Sequence, residues 1–230
     1  MKRYVATVKK IEYVGDDMVE IYFSLPKKSD VSYDAGQYIT IFFDDSSTPA
    51  GKPYSLSSAP HEALLSITVK RVGEFSGRLY HMEPGDTFEM SEAYGHFNPH
   101  ATRPIIALSA GVGIAPVWSV IKNELRRDKS RIAQLYYSNK SHEAIAHRVS
   151  IDTHADSHGG FKVHHHITRR VDVPKHMMGN RINLDACISA VEGEANYLIC
   201  GSVDFVRDMW RGLLERGIPQ ELISTEIFFE

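Results

Sequence analysis

The sequence predicts two domains, an N-terminal antiparallel β-barrel and a C-terminal α/β domain with a doubly wound parallel sheet. Up to about residue 100, short strand-forming runs follow one another between turn residues, whereas strands and helices alternate afterwards. The length of 230 residues suits two domains. A glycine turn, AGVGIAP, also follows an apolar run in the second half, where open α/β sheets bind ligands. We therefore expect domains at residues 1–100 and 101–230.

The first half is predicted to be built from short strands. The strand-forming runs are residues 3–14, 18–25, 38–43, 64–72 and 86–93. Because turn residues separate them, this spacing is typical of an antiparallel barrel or sandwich. One helix is expected within this half, over SGRLYHM at residues 76–82, with Ser76 as its N-cap.

The second half alternates strands and helices. Predicted strands cover residues 104–110, 131–138, 161–170, 196–201 and 222–229, and predicted helices cover 116–128, 142–154, 184–191 and 203–217. This alternation predicts βαβ units and a parallel sheet with helices on both faces. We place the boundary near residues 98–103 and, since no low-complexity linker is present, expect the two halves to pack directly together.

Composition excludes several classes of protein. A formal net charge of -3 gives no electrostatic case for binding nucleic acid. No segment approaches the roughly 20 apolar residues of a membrane span, and the amino terminus lacks the features of a signal peptide, so a cytoplasmic location is expected. The two cysteines, Cys187 and Cys200, are too few for a disulfide framework or a four-cysteine iron-sulfur site.

The turn at residues 110–116 has two interpretations. Gly111 and Gly113 permit a tight turn and a close backbone approach, and Pro116 suits the first turn of a helix. The start of that helix would direct free N–H groups at an anion such as a phosphate. Since Gly-x-Gly turns between strands and helices are common, a purely structural turn remains open on these residues alone.

The end of the next strand bears on the choice of nucleotide. Ser138, Asn139 and Lys140 stand where a dinucleotide fingerprint would have an acidic residue for a ribose 2'-hydroxyl. A hydroxyl and an ammonium group suit a 2'-phosphate better, which favours NADPH over NADH. The alternative is that Lys140 is a solvated loop charge.

Two motifs stand out in the first half. GKPYSLSSAP, residues 51–60, combines a base, a proline, an aromatic residue and several hydroxyls at the end of a strand. TVKRVGEFSGRL, residues 68–79, ends a strand in Gly-x-x-Ser and opens a helix, which is a geometry for holding phosphate on backbone N–H groups. Either could serve only as a loop.

Together, these three motifs resemble those of the ferredoxin-NADP reductase superfamily, over essentially the whole chain and in the right order. KPYSLSS is similar to the family's Arg-x-Tyr-Ser flavin motif, GEFSGRL to its Gly-x-x-Ser pyrophosphate motif, and GVGIAP to its Gly-x-Gly-x-x-Pro nicotinamide-nucleotide motif. AGQYITI, YGHF and LICGSVDFV match further family segments. The resemblance implies an FAD-dependent oxidoreductase, a flavoprotein that takes electrons from NAD(P)H.

The resemblance also implies roles for individual residues. Tyr54 would pack against the isoalloxazine, Ser55 would bond toward flavin N5, and Glu226 would lie close to the flavin. The implied catalytic residues are Ser55, Cys200 and Glu226. The implied cofactor-binding residues are Lys52, Pro53, Tyr54, Ser55, Thr68, Val69, Lys70, Gly73, Glu74, Phe75, Ser76, Gly111, Val112, Gly113, Pro116, Ser138, Asn139, Lys140, Cys200 and Gly201.

Two of these positions have alternatives. Cys200 follows an apolar run, and a buried cysteine usually acts only as a small hydrophobic residue. Lys52 stands where the family usually has arginine, and a lysine lacks the planar fork that grips phosphate with two bonds. The intact GEFS segment favours FAD over FMN, although a flavin bound as a dissociable substrate remains open.

The electron acceptor is expected to be a separate molecule, because this sequence has neither the length nor the cysteines for a ferredoxin domain. We expect electron transfer to a protein carrier, namely a ferredoxin, a flavodoxin or an oxygenase component, as in a ferredoxin reductase. Reduction of free flavin by NAD(P)H is the alternative. A non-catalytic subunit with an electron-transfer fold is a further alternative, which Tyr54, Ser55 and GVGIAP argue against.

Histidines cluster late in the chain, at His154, His158, His164, His165, His166 and His176. Their spacing matches no zinc or di-iron signature, so we predict no metal site and interpret them as part of a half-exposed strand and a polar loop. In a strand, His164 and His166 should share one face while His165 points to the other.

Overall fold

The computed structural model describes residues 2–26, 31–97, 102–169, 173–174 and 176–228. The first half forms an antiparallel sheet with one helix. Its strands are β1 (Tyr4–Gly15), β2 (Met18–Ser24), β3 (Tyr38–Phe42), β4 (Lys52–Ser55), β5 (Leu65–Lys70) and β6 (Thr87–Met90), and α1 (Glu74–Tyr80) lies between β5 and β6.

The six strands close into a barrel. Their order is β4-β3-β6-β1-β2-β5, with antiparallel pairing throughout. The chain just after β4 then bridges to β5 through Leu56 and Ile67, and the N–H of Ser57 donates to the carbonyl of Ser66 at 2.9 Å. Since these contacts join the two outer strands, the predicted barrel is confirmed.

Strand β2 shows how the barrel presents a polar group to the second domain. Val19, Ile21 and Phe23 are fully buried in the barrel core. Successive side chains of a strand point to opposite faces, so Glu20 and Tyr22 lie on the outer face. Glu20 is nevertheless 2 % exposed, because the C-terminal domain covers it.

The second half is a parallel sheet with helices on both faces, as predicted. Its elements are β7 (Ile105–Ala110), α2 (Ile114–Arg127), β8 (Ala133–Asn139), α3 (Arg148–Ser157), β9 (Phe161–Ile167), α4 (Leu184–Ile188), β10 (Asn196–Ser202), α5 (Val203–Glu215) and β11 (Ile223–Phe228). The order is β11-β10-β7-β8-β9. The chain runs outward from β7 to β9 and then returns to β10, so the topological switch point lies between β7 and β10. Open α/β sheets bind ligands at such a point.

Three helix starts differ from the prediction, and the smallest difference is in α2, which begins at Ile114 and not at residue 116. Ser76 as an N-cap is wrong, because α1 begins at Glu74 with Gly73 as its cap, and the Ser76 hydroxyl accepts from the N–H groups of Val72 and Gly73. Helix α3 begins at Arg148, six residues later than expected. The reason is tertiary, since the residue before it, His147, has φ 58 and donates its N–H to a carbonyl in β1.

The two halves pack directly together. Ser119 in α2 donates from its hydroxyl to the carbonyl of Ser58 at 2.6 Å, and the N–H of Asp16 donates to the carbonyl of Glu143 at 3.1 Å. The predicted boundary at 100/101 lies in residues 98–101, outside the described residues, and stays a prediction. Across the described ranges, the helices are all too short or too polar to cross a membrane.

Candidate functional site

The site is built around the glycine turn at the switch point. Residues Gly111–Gly113 form a short 3-10 turn after β7, and α2 follows immediately. A Cβ on Gly113 would collide with the main-chain carbonyl of Cys200 and would lie 2.7 Å from the nitrogen of Gly201. Only glycine therefore lets the start of α2 rest on the backbone of β10.

Gly111 has a different requirement. Its φ of 53° lies in the left-handed region, and a Cβ built there would meet nothing within 4 Å. The hydroxyl of Tyr137 donates to its carbonyl at 2.9 Å, which fixes the turn. Val112 packs against the core, and Pro116 lies in the first turn of α2, as predicted. The turn thus leaves open space in front of its backbone and fits a phosphate cradle.

The β4 motif provides a flat aromatic surface. The rings of Tyr54 and Phe75 lie nearly parallel, at 18°, with centroids 6.2 Å apart. Lys52 extends over Phe75, its Nζ 5.7 Å from the ring centroid, and Pro53 is exposed beside it. Tyr54 is half-buried, and this burial raises the pKa of its hydroxyl. This arrangement fits a planar, aromatic ligand with a nearby negative charge.

The two domains meet at Ser55 and Glu226. The Ser55 hydroxyl donates to Glu226 Oε1 at 2.8 Å, which joins the end of β4 to β11. The other carboxylate oxygen, Oε2, is buried and has no hydrogen-bond partner among the described residues. Burial raises the pKa of Glu226 to about 7, and the Ser55 bond opposes this shift. A carboxyl group with this pKa is suited to exchange a proton near neutral pH.

Cys200 lies beside this pair. It is opposite Glu226 in the parallel pairing of β10 with β11, and it is fully buried. Burial raises the pKa of its thiol well above the ordinary value, and the charge of Glu226 acts in the same direction. A Cβ on the neighbouring Gly201 would lie 2.8 Å from the ring of Phe205. The thiol is therefore neutral and contributes an apolar wall.

The predicted phosphate segment lies on and after β5. Val69 points into the barrel core, while Lys70 is half-buried. The carboxylate of Glu74 accepts from the hydroxyl of Ser47 at 2.9 Å. A Cβ on Gly73 would meet nothing within 4 Å, so the backbone before α1 is open to a ligand.

Thr68 belongs to a buried polar network that was not predicted from the sequence. Its hydroxyl donates to Glu20 at 2.7 Å and lies 2.9 Å from Nε2 of His147. Ser57 also donates to Glu20. Burial would raise the pKa of Glu20, but the adjacent His147 and the serine hydroxyls outweigh it and hold that pKa well below its usual range. The sole sequence signal is an acidic residue in the apolar run MVEIYF.

The three residues at the end of β8 lie next to the glycine turn, because Ser138 pairs with Ala110 across the two strands. Ser138 is half-buried and Lys140 is exposed. Asn139 is buried, and within the described part of the chain its Nδ2 has no hydrogen-bond partner. The structure thus brings these side chains to the edge at which β7 and β10 also end.

The histidine strand β9 is more buried than expected. His164 stacks on Tyr136 with ring centroids 4.5 Å apart, whereas His165 points to the other face and lies 2.8 Å from Asp152, so the predicted alternation is confirmed. The prediction of a half-exposed strand is wrong for His165 and His166, which are only 6 % and 3 % exposed. The segment around Met178 covers this edge of the sheet, with its N–H donating to the carbonyl of His165. The described residues contain no group of three His, Cys, Asp or Glu that could hold a metal ion.

Family models match both halves of the chain. Residues 3–95 match an FAD-binding domain, and residues 107–210 match an oxidoreductase NAD-binding domain. The two matches cover the β4 and β5 motifs and the glycine turn, respectively.

Curated relatives match over most of the chain. Reductase component 1 of terephthalate 1,2-dioxygenase from Comamonas sp. is 25% identical over 234 residues, covering 99% of this chain and 68% of the relative. A flavohemoprotein from Chromobacterium violaceum is 30% identical over 215 residues, covering 86% of this chain and 53% of the relative. The chain therefore spans about two thirds of the first relative and about half of the second.

Solved structures share the fold. The flavohem-like FAD/NAD-binding domain of nitric oxide dioxygenase from Vibrio cholerae has a TM-score of 0.87 at 22% identity, and 98% of each chain is covered. A ferredoxin NADP+ reductase from Neisseria gonorrhoeae, solved with bound FAD and NADP, has a TM-score of 0.83 at 20% identity, and 100% of each chain is covered. The same two-domain arrangement thus extends over the full length of both structures.

Proposed function

We propose a function from the premise that this chain belongs to the ferredoxin-NADP reductase superfamily and is an FAD-dependent NAD(P)H oxidoreductase. The proposed function is the delivery of electrons to a protein carrier such as a ferredoxin, a flavodoxin or an oxygenase component. The observation that carries this proposal is the contact between Ser55 and Glu226, which joins the FAD-binding domain to the NAD-binding domain beside the switch point. The similarity to a reductase component of a dioxygenase supports a protein acceptor.

The residues present fit FAD. Tyr54 presents a half-buried ring that is backed by the buried ring of Phe75, and Glu226 Oε2 is a buried oxygen without a hydrogen-bond partner among the described residues. We propose that Tyr54 packs on the isoalloxazine and Ser55 bonds to it. The ribityl and phosphate groups would be held by Lys52, Pro53, Thr68, Val69, Lys70, Gly73, Glu74, Phe75 and Ser76. Since the Thr68 hydroxyl is already engaged, its backbone would make the contact.

The residues also fit a nicotinamide nucleotide. The open backbone at Gly111 and the close approach at Gly113 leave room for a phosphate at the start of α2. Val112 and Pro116 complete this turn. We propose that Cys200 and Gly201, at the end of β10, flank the nicotinamide ring.

FAD, when bound, accepts a hydride from NAD(P)H and releases electrons singly, which suits a one-electron carrier. Ser55 holds its hydroxyl proton toward Glu226 Oε1, and the protonated carboxyl keeps a second proton on Oε2. With a pKa near 7, Glu226 can give up and regain the proton on Oε2, while the Ser55 hydroxyl, which donates to Oε1, holds the carboxyl in place. The neutral Cys200 thiol excludes water, and the domain contact fixes the orientation of both nucleotides.

We propose NADPH as the preferred donor. Ser138 and Lys140 lie at the end of β8, next to the glycine turn, where a 2'-phosphate could meet a hydroxyl and an ammonium group. Asn139, with its unpartnered buried Nδ2, offers a further donor.

Reduction of free flavin is the second candidate function. It is favoured by Lys52, which supplies one point charge where an arginine would supply a planar fork, so the flavin would be held less tightly. The Nζ of Lys52 lies over the Phe75 ring and is exposed to solvent on its other side.

Two measurements test these functions. The FAD-loaded protein, mixed anaerobically with NADPH or NADH, should lose its yellow flavin absorbance, and failure of both nucleotides to bleach it would contradict hydride transfer. Acceptor turnover is then compared for a ferredoxin, a flavodoxin and excess free flavin. Faster turnover with a protein carrier supports the proposal, whereas turnover that rises only with free flavin supports the second candidate.

A further inference from the structure

A second cleft lies between the two domains, away from the predicted cofactor residues. It has a volume of about 1110 Å³ and lies between the outer face of β1 and β2 and the helices α2 and α3. None of its lining residues is among those predicted to bind FAD or NAD(P)H. Small-molecule sites commonly measure about 300 to 1,000 Å³, so the cleft has room for a ligand of nucleotide size.

The carboxylates of this cleft already have partners. Glu12 pairs with Lys10 and Glu62 with Lys122, so these two negative charges are compensated by lysines. Glu20 and Glu143 contact the rings of His147 and His142, respectively.

Three cations are left over. Arg126 lies in the last turn of α2, Lys129 follows that helix, and Arg148 begins α3 on the opposite wall. Within the described residues, none of the three makes a hydrogen bond or an ion pair within 4 Å, and Arg148 has a cleft carboxylate nearby: hydrogen bonds lower the pKa of Glu143, and the charge of Arg148 acts in the same direction. Partial burial and the charge of Arg126 lower the pKa of the neighbouring His61. Charges of one sign along a cleft concentrate the field and attract counter-ions, so this wall favours an anion.

Aromatic rings line the cleft beside these cations. Trp118 is at its base, and the ring of His154 meets it edge-on with centroids 5.0 Å apart. His158 is stacked parallel to His154 at 5.8 Å. A ligand with a flat ring would find apolar contacts here.

We propose that this cleft binds a multivalent phosphate anion of the nucleotide class, separately from FAD and NAD(P)H. Arg126, Lys129 and Arg148 would hold the phosphate groups from the two walls. The rings of His154 and His158 would contact the base. This inference does not rest on the proposed function, because it uses neither the Ser55–Glu226 pair nor the glycine turn.

The test is a calorimetric titration of the FAD-loaded enzyme with ADP and with inorganic pyrophosphate. In the triple variant R126Q/K129Q/R148Q, ADP binding in the cleft should weaken at least tenfold, while the KM for NADPH changes less than twofold. The matched control K9Q/K162Q/R211Q removes three exposed cations elsewhere and should bind ADP as the unsubstituted enzyme does.

Three outcomes would overturn the proposal. If the control variant weakened ADP binding equally, ADP would be attracted by positive charge in general and not by this cleft. ADP binding that the triple variant leaves unchanged would place ADP at the nicotinamide-nucleotide site. If ADP bound no more tightly than pyrophosphate, the rings would not contribute to binding, and the ligand would not need to be a nucleotide. Flavin absorbance and the circular dichroism of each variant verify that it is folded and loaded.

Discussion

The hydroxyl of Ser55 donates a 2.8 Å hydrogen bond to Glu226, 171 residues later in the chain. One partner ends a barrel strand and the other lies in the outermost strand of the parallel sheet. The domain interface and the proposed proton path therefore depend on the same contact. Substitutions at either residue test both.

Glu226→Gln should change how stability depends on pH. The pKa of Glu226 rises from its usual 4.5 to about 7 because burial disfavours the charged form. Ionising it therefore costs the folded state stability as pH rises between these values, and glutamine removes this cost. The free energy of unfolding of the variant, relative to that of the unsubstituted protein, should rise by about 2 kcal/mol between about pH 5 and about pH 8. Urea unfolding at both values measures this.

The matched control for that experiment is Glu221→Gln, since Glu221 is exposed. Its free energy of unfolding, relative to the unsubstituted protein, should not change with pH in this window. If the relative free energy of unfolding rose equally in both variants, burial would not be what disfavours the charged form of Glu226.

Ser55→Ala should slow hydride transfer. The substitution removes the donor to Glu226 Oε1, so burial acts unopposed and the pKa of Glu226 rises further. Because Ser55 is proposed to bond to the isoalloxazine, and a hydrogen bond to a group that gains charge contributes about 1.5–3 kcal/mol, its loss should slow the step by about 10- to 100-fold. Anaerobic stopped-flow reduction by NADPH measures the rate, and Ser130→Ala, at an exposed turn, is the control. An unchanged rate would exclude Ser55 from the reaction.

Gly113→Ala should destabilise the C-terminal domain. The added Cβ would meet the main chain of Cys200 and Gly201, and a backbone obstacle cannot rotate away. We expect a loss of about 3 kcal/mol, typical of a severe overpacking. Gly159→Ala is the control, because a Cβ there meets nothing within 4 Å. Comparable thermal unfolding of the two variants would contradict the close packing of α2 on β10.

Lys140→Ala should raise the KM for NADPH about tenfold and that for NADH less than twofold, since a charged hydrogen bond to the 2'-phosphate is worth about 1.5–3 kcal/mol. Lys162→Ala, which removes another exposed lysine, should change neither value. Equal effects on both nucleotides would show that Lys140 does not select between them.

Glu20→Gln should weaken the domain contact. The Glu20 carboxylate accepts from the hydroxyls of Ser57 and Thr68, and hydrogen bonds to a charged group contribute about 1.5–3 kcal/mol. Because the pKa of Glu20 is lowered in the folded state, its contribution is full above its usual pKa of 4.5 and is lost as pH falls below it. The stability gap between the variant and the unsubstituted protein should therefore shrink on acidification. Chemical unfolding measures this gap, and a gap that is constant with pH would contradict an ionised Glu20 in the folded protein.

The positions of the strands along the chain could largely be predicted from the sequence, because alternation and turn residues are local signals. The start of α3 could not, since His147 takes a left-handed conformation to reach a carbonyl of β1. In the same way, nothing local announces that His165 and His166 are covered by the segment around Met178. Both errors come from contacts between distant parts of the chain.

The same distinction between local sequence signals and contacts of distant segments applies to the candidate site. The glycine turn and the β4 motif could be located from residue types alone. Which side chains meet could not be predicted: the family resemblance implied that Ser55 and Glu226 both lie near the flavin, but not that they contact each other. The network of Glu20, Thr68 and His147 had no sequence motif, because these three residues come from three separate segments of the chain. The lining of the cleft beside it is likewise drawn from several segments.

The two sheets also differ in how they protect themselves from aggregation. An open sheet edge is a template on which another chain can add a strand. The bridge between Leu56 and Ile67 removes that template from the barrel. In the parallel sheet, the segment around Met178 shields β9 by donating to His165 and accepting from Ile167. Loosening this shield would expose a mostly buried, histidine-rich strand to neighbouring molecules, so the histidines mark the place where self-association would begin.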